Sequence, residues 1–207
     1  GDDVVSRISY ANTSSEKHKE LQTCLLNAIH EMAKTLCYEA GAQPSQIVDV
    51  VLAGNTVMQH LAAGRPVTSL GEAPYTPDML DAEVNSSEKF GWEFCQNAQV
   101  YMPPNIAGYV GGDHVAMCLA TGAYPPQDNI LALDIGTNTE ITLCANGKAY
   151  SCSCASGPAF EGARIQMGMR AASGAIEKVQ LSDGKILYST IDNLPALGIC
   201  GSGVLDA

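Results

Sequence analysis

Apolar residues recur along this chain with two different spacings, and the spacing changes at recognisable turns. Leu21, Leu25, Ala28, Ile29, Met32 and Leu36 follow one another at three- and four-residue steps, which predicts one apolar stripe of a helix. Thr13-Ser14-Ser15-Glu16 ahead of them reads as a capping box, and Gly41 as a C-terminal stop. Residues 47–53 then form a short, nearly continuous apolar run, the pattern of a buried strand. Gly54-Asn55-Thr56 turns the chain into a second helix, expected to reach about Ala63 before Gly64 and Pro66 end it. Helix, buried strand, turn and helix together predict an α/β fold with parallel strand neighbours.

Residues 65–99 break this rhythm. Pro66, Pro74 and Pro77 interrupt any long element, so an irregular flap is expected. Phe90, Trp92 and Phe94 would either anchor that flap to the core or form a partner surface. A strand over 98–102 follows, then a short apolar helix over 113–121 that begins at Asp113 after Gly111-Gly112. The Pro-rich stretch 124–129 reads as a linker, which divides the chain into a partial first lobe, 1–123, and a partial second lobe, 124–207. Beyond it, three antiparallel strands are expected over 130–135, 141–144 and 149–154, the last two joined at Asn146-Gly147. Gly157-Pro158 should open a helix running to about Met167. A further hairpin should pivot on Asp183-Gly184, and Gly201-Ser202-Gly203 should lead into a last helix.

The first of these turns carries chemistry. Asp134-Ile135-Gly136-Thr137-Asn138-Thr139 supplies a carboxylate at a strand end, a glycine that lets backbone come close to a ligand, and several hydroxyl and N–H donors. Phosphate oxygens with Mg²⁺ require that set: donors for the oxygens and a carboxylate that holds the metal through water. An ordinary hairpin turn rich in Gly and Thr is the alternative reading.

A net charge of −11 without any run of Lys or Arg excludes nucleic acid and anionic membranes as favoured partners. It also means that a nucleotide site must rest on backbone donors and metal rather than on basic side chains. No apolar run approaches the roughly 18 residues of a membrane span. The eight cysteines show no Cys-x-x-Cys and no paired Cys/His spacing, so buried thiols in a reducing, cytoplasmic setting are expected. Cys152 and Cys154, two apart on a strand, are the one pair that could suit a metal. The absence of Met at position 1 suggests a piece of a longer protein.

The order of these motifs resembles the actin, sugar-kinase and heat-shock-chaperone superfamily of ATPases, with its ribonuclease-H-like α/β lobes. In wording, Ala53-Gly54-Asn55-Thr56-Val57-Met58, Pro104-Asn105-Ile106-Ala107-Gly108-Tyr109-Val110-Gly111-Gly112-Asp113, Gly157-Pro158-Ala159-Phe160-Glu161-Gly162-Ala163 and Gly198-Ile199-Cys200-Gly201-Ser202-Gly203 are similar to one branch. That branch is the ATPase domain of the reductive activators of corrinoid proteins. The resemblance implies ATP and Mg²⁺ as cofactors, a corrinoid protein as partner, and reduction of cob(II)alamin to cob(I)alamin in anaerobic methyl transfer. It also implies a [2Fe–2S] domain upstream. A homodimer remains an open option. The superfamily's first phosphate hairpin has no counterpart here, so the chain reads as an internal piece with part of the nucleotide cleft.

Carried over residue by residue, the resemblance implies that Asp134 holds Mg²⁺ through water while Gly136, Thr137, Asn138 and Thr139 bind phosphate oxygens. Asp113 would orient the attacking water, against the alternative of a helix N-cap. Gly157 and Glu161 would approach ribose or phosphates, against a solvated first-turn carboxylate for Glu161. Gly201, Ser202 and Gly203 would present a helix N-terminus to an anion, against a purely packing role. Gly54, Asn55 and Thr56 would line the cleft. His60 and His114 read as core or surface histidines rather than ligands. A small-molecule kinase of the same superfamily and a non-catalytic scaffold are the competing functions.

Overall fold

The computed structural model describes residues 3–125 and 129–207. They fall into two compact units, one of residues 1–129 with 144–151 and one of residues 130–143 with 152–207. The mixed α/β class expected from the alternating patterns is observed.

The first unit opens with two helices, α1 (Val4–Ala11) and α2 (Ser15–Glu39). Each starts on a side-chain cap: the Asp3 carboxylate accepts from the Ser6 N–H at 2.6 Å, and the Ser14 hydroxyl from the Lys17 N–H at 3.3 Å. The buried stripe of α2 departs from the expected one. Leu25 and Ile29 pack on the core as expected, but Ala28, Met32 and Leu36 face outward, and Leu26 and Cys37 are the buried positions. Apolar residues occupy more than one face of this helix. The face that is covered is the one that meets the aromatic segment: the Trp92 indole N–H donates to the Leu26 carbonyl at 3.0 Å, and Phe94 meets His30 edge-on.

Strands β1 (Asp49–Val51), β2 (Glu83–Ser86) and β3 (Gln99–Met102) form one sheet in the order β1-β3-β2. β1 runs parallel to β3, as expected, and β2 runs antiparallel, but β1 is not the buried strand expected over 47–53: Val48 and Val51 are exposed, and only Val50 and Leu52 pack against the core. Segment 65–99 therefore contributes a strand of the sheet and two single helical turns, Thr68–Leu70 and Ser87–Phe90. Its aromatic residues are anchors: Phe90 stacks on Trp92, and both join Leu26, Ala62, Val100 and Met102 in the core. Helix α3 (Thr56–Ala63) carries Val57 and Leu61 into a second cluster with Ile8, Ala11, Val67 and Leu70. Helix α4 (Gly112–Ala120) follows β3. Among the described residues no helix is long and apolar enough to cross a membrane.

Strands β4 (Ile130–Ile135), β5 (Asn138–Ala145) and β6 (Lys148–Ala155) pair in sequence order. Strand β4 buries Ala132 and leaves Leu131 and Leu133 exposed. The second unit adds β7 (Ala175–Ser182), β8 (Lys185–Thr190) and β9 (Gly198–Ile199), in the order β8-β7-β9, and helix α5 (Gly201–Asp206). Both asparagine- or aspartate-glycine turns form as expected, with φ of 52° and 73° at Asn146-Gly147 and 50° and 74° at Asp183-Gly184. The helix expected over 157–167 is a single turn, Pro158–Glu161. It stops because Gly162 takes a left-handed φ of 77°, and positive φ at Arg164 and Met167 turns the chain further before Met169 N–H donates to the Ile199 carbonyl and Ile199 N–H to that of Met167. The linker residues 126–128 lie outside the described residues.

Candidate functional site

In the first unit, the strand-to-helix turn after β1 meets the start of α4. Asn55 caps α3 by accepting from the Met58 N–H at 2.9 Å, and Thr56 donates its hydroxyl to the Ala107 carbonyl at 2.8 Å. Gly111 caps α4 and is pressed against this turn: a Cβ there would stand 2.6 Å from the Asn55 Cα and from the Thr56 nitrogen. Asp113 consequently sits in the first turn of α4, not at its N-cap as the alternative reading had it. Its N–H donates to the Gly54 carbonyl at 3.1 Å, and its Oδ1 accepts from the His114 N–H at 2.9 Å. Asn105, which sequence reasoning passed over, ties this corner to the flap. It accepts from the Gly112 N–H and donates to the Met79 carbonyl at 3.0 Å. Its place in the quoted Pro-Asn-Ile-Ala-Gly run was the available signal.

Of the core or surface placement expected for His60 and His114, the structure shows the core: both are fully buried. His60 shows why. Its Nδ1 lies 2.7 Å from the Thr56 carbonyl, so Nδ1 carries the proton and Nε2 accepts from the N–H groups of Asp78 and Met79 at 2.9 and 3.0 Å. Burial pushes the imidazole below its ordinary value, partly offset by the bond to Thr56.

In the second unit, three of the sequence-derived segments come together. The turn between β4 and β5 places Asp134, half-buried, at the end of β4 and Gly136 and Thr137 at its tip. The Thr137 carbonyl accepts from the N–H groups of both Ser156 and Gly157, at 3.0 and 2.9 Å. The Ser156 hydroxyl donates to the Thr139 hydroxyl at 2.6 Å. Glu161, on the Pro158–Glu161 turn, reaches back to Thr137 and accepts from its N–H at 3.1 Å and from its hydroxyl at 2.5 Å. The same turn is backed by α5: a Cβ on Gly201 would stand 1.6 Å from the Phe160 carbonyl oxygen, so only glycine fits. Ser202 is exposed and Gly203 buried in the first turn of that six-residue helix. Ser156 and the Phe160 carbonyl were missed: Ser156 precedes the quoted Gly157–Ala163 run, and within that run Phe160 gave no sign that its main chain would meet Gly201.

All eight cysteines are free thiols. Cys24, Cys152 and Cys154 are exposed, which corrects the expectation of buried thiols at those positions; strand β6 leaves that face uncovered. Among the described residues, no group of three or more His, Cys, Asp or Glu side chains is arranged to hold a metal ion.

Residues 1–125 match the family described as the RACo middle region, and residues 128–207 match the C-terminal domain of RACo, the ASKHA domain. The chain is 36% identical over its whole length to the corrinoid activation enzyme RamQ of Eubacterium limosum, covering 35% of that protein. It is 28% identical to the [Co(II) methylated amine-specific corrinoid protein] reductase of Methanosarcina barkeri, over 85% of this chain and 33% of that protein. A solved structure of a reductive activator for corrinoid, iron-sulfur protein superposes with a TM-score of 0.87 at 40% identity, over 100% of this chain and 33% of that one. The chain thus spans about a third of the length of the curated relatives it matches.

Proposed function

This chain belongs to the RACo family, and from that premise we propose that it forms part of the ATP-binding and ATP-hydrolysing body of a cytoplasmic protein that reductively activates a corrinoid protein. The electron added to cob(II)alamin would come from a redox centre elsewhere in the system.

The observation that carries the nucleotide reading is the turn at Gly136–Thr137. Its N–H and hydroxyl donors already face a carboxylate anion, Glu161, and its main chain is held by Ser156 and Gly157. A rigid set of donors aimed at an anion is what phosphoryl transfer asks of a protein, because that chemistry depends on positioning and charge neutralisation. The donor chemistry also fits a Mg²⁺–phosphate group. Asp134 would hold the metal through water, and Thr137, Asn138 and Thr139 would bind phosphate oxygens. Mg²⁺ would neutralise charge developing on the phosphates. Gly157 and Gly201–Gly203 would shape the wall behind them, and Asp113, in the first turn of α4, would orient water. Within the first unit, Gly54 and Asn55 would line the approach to Asp113, whose N–H donates to the Gly54 carbonyl, whereas Thr56 is buried and departs from the cleft-lining expectation.

Binding energy that differs between nucleotide states is the only means by which ATP can bias such a protein toward its corrinoid partner. The test is reduction of the corrinoid partner by the intact protein, followed by loss of the cob(II)alamin paramagnetic signal with and without ATP. Loss that requires ATP, with ADP and free phosphate as the only products, is expected. Equal reduction without ATP overturns the proposal, and a phosphorylated small molecule would identify a kinase instead.

A further inference from the structure

Glu161 occupies the donors that a phosphate would need. One carboxylate oxygen takes the Thr137 N–H and the other takes the Thr137 hydroxyl, at 3.1 and 2.5 Å. A Cβ on Gly136 would stand 3.6 Å from the first of these oxygens, so the carboxylate lies directly over the turn. Two oxygens of one anion on two converging donors is the arrangement a phosphoryl group would adopt on the same turn. Both cannot be present together. A carboxylate left in place would also set its negative charge against that of the phosphates.

From this geometry we infer that Glu161 is an internal competitor: it takes the donors of the phosphate-binding turn and must leave when nucleotide phosphate binds. The inference rests on the nucleotide reading above and assigns Glu161 the role of setting affinity rather than contacting nucleotide. The local backbone suits such a departure. Glu161 ends a single helical turn whose flanking residues, Gly157 and Gly162, both have left-handed φ, 83° and 77°. Glu161 is exposed, so its displaced carboxylate passes into water rather than into the core. Moving the turn also moves the Phe160 carbonyl that abuts Gly201, so the start of α5 feels whether the phosphate seat is filled by Glu161 or by ligand.

Calorimetric titration of the intact protein with ATP and Mg²⁺, as wild type, Glu161→Gln and Glu161→Ala, tests this. Removal of the competing charge should tighten ATP binding about ten-fold in both variants, the order expected for losing charge-assisted hydrogen bonds from the competing state. Glu161→Gln keeps the side chain's shape, so its result stands even if the alanine variant folds poorly. Wild-type binding with unchanged or weaker affinity in Glu161→Gln overturns the competitor and makes Glu161 a support of the turn or a metal-water ligand. Absence of ATP binding in wild type and variants alike overturns the nucleotide reading itself, and the competitor with it.

Discussion

The carbonyl oxygen of Phe160 lies where a side chain on residue 201 would begin, 1.6 Å from the position of a Cβ on Gly201. A main-chain atom is the obstacle, so rotamer changes cannot relieve it. Gly201→Ala must therefore push the Pro158–Glu161 turn away from α5. Overpacking of this kind costs about 1–3 kcal/mol, and a backbone obstacle belongs at the upper end. The variant should show a lower urea midpoint than wild type, and Thr137 should lose its contact with Glu161. Increased hydrogen exchange at the Thr137 amide checks the second point; an unchanged midpoint and exchange rate would show that the turn yields freely.

His60 should make the first unit sensitive to acid. Its neutral imidazole joins Thr56 to the flap at Asp78 and Met79, and protonation at Nε2 would remove the acceptor for both flap N–H groups. Because burial lowers its folded-state value below the ordinary 6.5, the unfolded chain takes up the proton first. The stabilising contribution is complete above pH 6.5 and declines as pH falls from there through the folded-state value. Replacing His60 should cost about 2–5 kcal/mol at pH 8, from the lost volume and the stranded N–H groups. Urea unfolding between pH 8 and pH 5, followed by the fluorescence of the single tryptophan, Trp92, measures both. In His60→Asn the midpoint should start lower and fall less steeply between pH 6.5 and 5 than in wild type.

Local turn chemistry was readable in the sequence, and partnerships across the fold were not. Asn146-Gly147 and Asp183-Gly184 declared their hairpins because few other residues accept left-handed φ at two successive positions. The strand–turn–strand around Asp134–Thr139 was likewise visible as a string. The buried face of α2 was not, since apolar residues lie on several of its faces and only the position of Trp92 decides which is covered. The helix expected after Pro158 failed for a related reason: Gly162 is required by the close approach of the Met169 main chain, 2.0 Å from a Cβ there, a neighbour seven residues away. Glu161 was legible as a candidate, but its partner, 24 residues upstream, was not.

Substituting Asp134 separates the stability of its turn from the metal binding proposed for it. Asp134 is half-buried at the end of β4 and belongs to the turn that Ser156 and Gly157 hold in place through Thr137. Asp134→Asn preserves size, so the turn should keep its shape and the unfolding midpoint should stay close to wild type. A carboxylate that holds Mg²⁺ through water acts as an outer-sphere ligand, whose loss costs about 10–100-fold in metal affinity or activity. The ATP affinity of the intact protein should therefore fall by that factor with Mg²⁺ and change little with EDTA. Equal loss under both conditions would mark Asp134 as part of the turn's structure alone.

The helix-start role observed for Asp113 and the water-orienting role proposed for it can be divided by one substitution. The Asp113 Oδ1 accepts from the His114 N–H at the start of α4, and its own N–H is fixed to the Gly54 carbonyl. A first-turn carboxylate stabilises a helix by about 0.3–1 kcal/mol through the helix dipole. Asp113→Asn keeps an oxygen that can accept the same hydrogen bond and removes only the charge, so stability should fall by no more than that. A carboxylate that positions or deprotonates the attacking water matters far more to rate, on the order of 10²–10⁴-fold. ATP hydrolysis by the intact protein should thus collapse in Asp113→Asn while ATP affinity and the urea midpoint barely move. The opposite pattern, a lowered midpoint with hydrolysis retained, would confine Asp113 to starting its helix. The tie between Gly54 and Asp113 would then serve only to pack α4 against the turn that leads into α3.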